Sequence, residues 1–106
     1  MSNTVRARKL LEARNWRVAV TEHWNSFARI RQDLFGFADL IAIDRDKGEI
    51  ILVQVTSQGN HSTRRNKIQA AVEAKEWILA GGLILLLSFK KDKSNRWQSK
   101  EEWVQV

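Results

Sequence analysis

The chain has 106 residues, enough for one domain and one hydrophobic core. Hydrophobic residues make up 43% and charged residues 28%, with no proline and five glycines, which argues against a disordered tail or a long flexible linker. The absence of cysteine excludes disulfides and thiolate metal sites, and a net charge of +6 points to a polyanionic partner. A cytoplasmic setting is expected. Arg6, Arg8 and Lys9 near the N-terminus have no apolar run behind them, so no signal peptide is expected either. The longest apolar run, Leu83 to Leu87, is too short to span a membrane.

Residues 3–14 are predicted to form a helix with Val5, Leu10, Leu11 and Ala13 as its apolar stripe and Asn15 as its stop. The alternation over 16–24 predicts a strand, and 25–32 reads as a polar, basic connector. A second strand is predicted over 37–44 and a third, rich in β-branched residues and expected at the sheet centre, over 49–56. Between them Arg45-Asp46-Lys47-Gly48 is a hairpin turn with glycine where a positive φ is needed. A loop over 57–62 precedes a helix over 63–79, capped by Ser62 or Thr63. Its expected buried side is Ile68, Ala71, Val72, the stem of Lys75 and Ile78 or Leu79, and Gly81-Gly82 ends it. The continuous apolar run 83–89 is a fourth strand buried on both faces. Residues 97–106 form a weak final element in which Trp97 and Trp103 cover an edge. The third strand, helix and fourth strand make a right-handed crossover, so these two strands should run parallel. The expected fold is α/β (α+β), a single domain over 1–106. It has a mixed central sheet of four to five strands flanked by helices, in the order αβββαβ.

Three polar residues interrupt this apolar pattern. Asp39 lies among Phe37, Leu40, Ile41 and Ile43, where a carboxylate is costly unless it is solvated, paired or bound to a cation. Gln54 and Thr56 are two apart on the third strand and share a face, so both can lie beside Asp39 if the two strands pair. Hard cations such as Mg²⁺ take carboxylate and amide oxygens, which makes Asp39 and Gln54 candidate metal ligands. The plain alternatives are a strand-edge Asp facing water and a buried amide bonded to backbone.

The segment FGFADLIAID followed by LVQVTS resembles the PD-(D/E)XK nuclease superfamily. Within it the chain is similar to the small VRR-NUC and Holliday-junction-resolvase-like proteins, many of them phage-borne. The resemblance covers nearly the whole chain and implies a restriction-endonuclease-like core. It also implies a Mg²⁺- or Mn²⁺-dependent endonuclease acting on DNA, of branched or structured form, as a homodimer. Asp39 matches the metal-binding Asp and Gln54 the second acidic ligand, where Gln is a tolerated variant. Thr56 falls on the lysine position and departs from the pattern, because it cannot supply a positive charge to the reacting phosphate. Lys67, on the following helix, is the candidate replacement, with an exposed helix lysine as the alternative. Decay to an inactive DNA-binding or assembly module would leave the same Gln54 and Thr56.

Asp33, Glu22 and Glu12 are further carboxylates that could compensate for the neutral Gln54, each with a surface charge as its alternative. Asp33 is the third candidate metal ligand. Arg29, Arg31, Arg64, Arg65 and Lys67 are the candidate phosphate contacts. His23 and His61 are not at metal-pair spacing and read as loop or surface residues. The tryptophans (Trp16, Trp24, Trp77, Trp97, Trp103) read mainly as core and interface packing, with Trp24 the best candidate for stacking on a base.

Overall fold

The computed structural model describes residues 1–106. Helix α1 (Asn3–Glu12) is followed by strand β1 (Trp16–Val20) and by two short strands, β2 (His23–Asn25) and β3 (Ile30–Gln32). Then come β4 (Leu40–Asp44), β5 (Glu49–Ser57), a 3₁₀ turn at Gln58–Asn60, α2 (His61–Ala70), α3 (Val72–Leu79), β6 (Leu83–Lys91) and β7 (Trp97–Trp103). Five strands form one mixed sheet in the order β1-β4-β5-β6-β7, and β2 pairs only with β3 in a separate hairpin. β5 is central, antiparallel to β4 and parallel to β6. The molecule is thus mixed α+β, with α1 on one face of the sheet and α2–α3 on the other. No helix is long and apolar enough to cross a membrane.

Alternation along β5 and β6 builds two cores. Ile51, Val53, Leu85, Leu87 and Phe89 pack with Ala7 and Leu11 of α1. Leu52, Ile84 and Leu86 pack on the opposite face with Ile68 of α2, Ala74 of α3 and Phe37. The two sets interleave because successive strand residues point to opposite faces.

Several boundaries differ from the sequence expectation. The first helix ends at Glu12, its buried residues are Ala7 and Leu11, and Val5 is exposed. Asn15 does stop the helix segment, at φ 68°. The strand expected over 16–24 ends at Val20, and Trp24 lies instead in the β2–β3 hairpin, which also takes in the stretch 25–32 that read as a polar connector. The strand expected from 37 begins at Leu40. The helix expected over 63–79 starts two residues earlier, with no side-chain cap from Ser62 or Thr63, and breaks at Ala71, whose backbone is extended (φ −80°, ψ 126°). The break resets the helical phase. The buried stripe of α3 becomes Ala74, Trp77 and Ile78, at i, i+3, i+4 spacing, while Val72, Lys75 and Leu79 face solvent. Gly82 follows the helix, and a Cβ there would collide with the Trp77 ring, whose Nε1 donates to the Leu83 carbonyl. The last element is a full edge strand, β7, and Trp103 packs against Trp16 with ring centroids 6.3 Å apart.

Candidate functional site

Backbone register fixes Asp39 first. β4 pairs with β5 so that Leu40 faces Val53, which carries Asp39 to the level of Gln54 on the same face. The Asp39 N–H donates to the Val53 carbonyl (2.8 Å) and its carbonyl accepts from Thr21 N–H (2.9 Å), so the residue is held between β5 and the end of β1. Asp33 reaches the same point by folding back. Leu34 and Ala38 exchange both backbone hydrogen bonds (3.0 and 2.9 Å) across a tight turn, where Phe35 and Gly36 take φ of 56° and 79°. That pairing sets Asp33 opposite Asp39. Glu22 directly follows Thr21 and completes the cluster.

Carboxylate oxygens of Glu22, Asp33 and Asp39 lie within 4.8 Å of one another. Asp39 is buried and the other two are half-buried. Its Oδ2 accepts hydrogen bonds from Val55 N–H (2.7 Å) and Gln54 Nε2 (2.9 Å). Burial pushes the Asp39 carboxyl up to about 8 against the lowering effect of the Val55 N–H. A hydrogen bond to Asp33 and the negative charges of Asp33 and Glu22 contribute to the same rise. Without a cation, burial and the neighbouring charges thus favour the protonated form of Asp39. A divalent ion would displace that proton.

The donor set fits a hard cation. Three carboxylates converge at a spacing one ion can bridge with metal–oxygen distances of about 2.0–2.6 Å. Gln54 is 2% exposed and its Oε1 is a buried acceptor with no partner, the kind of atom that water or an ion normally satisfies. Gln54 turns its Nε2, rather than its oxygen, toward Asp39. It orients the carboxylate in this geometry instead of standing beside it as a ligand, and Glu22 takes the third carboxylate place.

The remaining expected residues divide. Lys67 and Asp33 line one groove of about 440 Å³ together with His23, Arg31, Gln32 and Gly36, so Lys67 shares a groove with one of the three carboxylates. Thr56 is buried on the same face as Gln54 and adds no charge. Arg31 pairs with Glu22 (3.0 Å) and draws its carboxylate toward the hairpin. Arg29 and Arg64 form no ion pair with a carboxylate. Arg65 does: its Nε reaches both Glu102 oxygens (2.8 and 2.7 Å), so it is committed inside the fold rather than free for phosphate. Glu12 is also elsewhere, on α1 beside Arg8.

His61 corrects the sequence reading most clearly. It is buried, not a surface residue, and links Ser88 Oγ (2.7 Å from Nδ1) to Glu102 (2.9 Å from Nε2). The order Ser–His–Glu has the look of a hydrolase triad, but Ser88 has no exposed surface for a substrate to reach. The chain of contacts instead clamps the first turn of α2 onto β6 and β7. Arg65, one turn along, holds the same Glu102 and lowers its pKa. The helix that carries Arg64 and Lys67 is thereby fixed relative to the sheet. Its partners are 27 and 41 residues away in sequence, a separation that no local motif marks.

No family model matches the chain, and neither a curated protein nor a solved structure matches it.

Proposed function

We propose that the chain is a metal-dependent endonuclease-like protein that hydrolyses phosphodiester bonds of branched or structured DNA, on a restriction-endonuclease-like core. One observation carries this reading. Three carboxylates converge beside a buried glutamine that donates to one of them, and another of the three, Asp33, lines a groove shared with Arg31 and Lys67.

Glu22, Asp33 and Asp39 are the residues that would hold Mg²⁺ or Mn²⁺. Such an ion supplies polarisation of the scissile phosphate and a lowered pKa for an attacking water. The chain's own residues do the rest. Gln54 and the Val55 N–H fix one oxygen of Asp39, which leaves the other for the ion. Lys67 brings the positive charge that Thr56 lacks, where negative charge grows on the phosphate. Arg29 and Arg64, which form no ion pair, hold the flanking backbone, while Arg31 stays paired with Glu22. A homodimer would present two such sites to a symmetric junction, through α1 or the exposed edges at β1 and β7.

A second reading keeps the fold and the DNA but not the cleavage, leaving a binding or assembly module. The neutral Thr56 and the orientation of Gln54, nitrogen toward Asp39, favour it. One experiment separates the two. Branched and linear DNA are incubated with the protein and Mg²⁺ or Mn²⁺, beside an Asp39→Asn control. Metal-dependent cleavage that the control loses is expected. Binding without cleavage would leave the module, and no DNA retention at low salt would remove both.

A further inference from the structure

Between the candidate ligands Glu22 and Asp33 the chain makes a hairpin that the main sheet does not use. β2 and β3 pair only with each other, at His23–Gln32, Trp24–Arg31 and Asn25–Ile30. Its tip is built rather than loose. Asn25 Oδ1 accepts from the Phe27 and Ala28 N–H groups (both 3.0 Å), and Asn25 Nδ2 donates to Gln32 Oε1 (3.1 Å). Arg29 closes the turn with φ 54°. Yet the side chain this turn presents, Phe27, is 100% exposed, and Trp24 and Ile30 are 60% and 51% exposed. A phenyl ring in water contributes nothing to folding.

Charge selects what covers it. From His23 to Gln32 there is no acidic residue, while Arg29 and Arg31 flank the aromatic side chains. His23, Arg31 and Gln32 also form a wall of the groove that contains Asp33 and Lys67. An aromatic, basic finger thus springs from the two ends of the carboxylate cluster. Aromatic rings beside cations suit unpaired bases on a phosphate backbone.

We propose that the β2–β3 hairpin is a wedge that enters DNA where bases are unpaired. Phe27 stacks on a base, Trp24 gives a second stacking surface, and Arg29 holds the adjacent phosphate. The wedge sets which phosphate lies over Asp39. It rests on the nuclease-or-module reading above and supplies the feature of the DNA that either would recognise.

The test is binding without cleavage, in EDTA, of a perfect duplex and of the same duplex with a central bubble that carries 2-aminopurine. The wild-type chain is expected to bind the bubble about tenfold more tightly than the duplex and to change the 2-aminopurine fluorescence. Phe27→Ala should lose the preference and the fluorescence change while it keeps duplex binding, and Phe27→Trp should retain both. An unchanged melting temperature in Phe27→Ala shows that the fold is intact. Equal binding of both DNAs by the wild type, or an unaltered preference in Phe27→Ala, overturns the wedge and leaves the DNA reading standing. No binding of either DNA overturns both. If Phe27→Ala instead turns a DNA-free dimer into a monomer in sedimentation, the hairpin is a self-association surface and the wedge is overturned.

Discussion

The two faces of β5 and β6 come from the same residues in alternation, and they differ in one respect. On the α1 face the run Ile51, Val53, Val55 and Leu83, Leu85, Leu87, Phe89 stays apolar until the exposed terminal residues Ser57 and Lys91. On the α2–α3 face Leu52 gives way to Gln54 and Thr56, and Ile84 and Leu86 give way to Ser88. The change falls at the carboxyl ends of two parallel strands, where open α/β sheets place their binding crevices. One face is spent on holding the molecule together. The other gives up packing over its last turn of strand to seat Asp39, Gln54, His61 and Ser88.

Substitutions can break that contrast. Asp39→Asn keeps the shape of the protonated side chain, so it should fold normally but lose metal-dependent cleavage by about a hundredfold or more, read on branched DNA. On the apolar face, Leu85→Ala should cost about 2–5 kcal/mol of unfolding free energy in a denaturant titration. Ser88→Ala on the polar face removes one hydroxyl and leaves the His61 Nδ1 without its partner, at about 1–3 kcal/mol. Equal losses at the two positions would erase the distinction between the faces. Gln54→Leu should fold and yet weaken Mn²⁺ binding about tenfold or more in calorimetry, because Asp39 loses an orienting donor.

A separate prediction concerns pH dependence. Asp39 is raised from 3.8 to about 8 in the folded chain, so between these values the native state binds a proton that the unfolded state does not. Its contribution to stability without metal is therefore present at low pH and lost as pH rises from about 4 toward 8. Melting temperatures across that window should fall for the wild type relative to Asp39→Asn. Saturating Mn²⁺ should reverse the difference at pH 8. A wild-type profile parallel to that of Asp39→Asn would mean that Asp39 is not held protonated.

The sequence made the centre of the site legible because the centre is local. Asp39 and Gln54 sit on adjacent strands of one hairpin, and a period of two puts both on one face. Asp33 was within reach for the same reason, since Phe35-Gly36 can turn the chain in three residues. The hairpin was not legible, because strands of three residues show too little alternation to stand out from a polar connector. Nor was the break at Ala71, where neither proline nor glycine marks the end of a helix. The His61 clamp depends on Ser88 and Glu102, which only the closed sheet brings to it.

The crossover between β5 and β6 also bears on how the chain assembles. β1, β4 and β5 are antiparallel neighbours apart from the inserted hairpin, whereas β6 meets β5 only after α2 and α3 have turned the chain around. Closing that long segment is entropically dearer than closing a four-residue turn. Docking of β6 is therefore expected to limit the refolding rate: substitutions in the Arg45–Gly48 turn and at Leu86 should slow refolding in stopped-flow measurements by different fractions of their equilibrium cost. Asp39 and Gln54 would already be neighbours by then, so the acidic cluster takes shape ahead of the helix that carries Lys67.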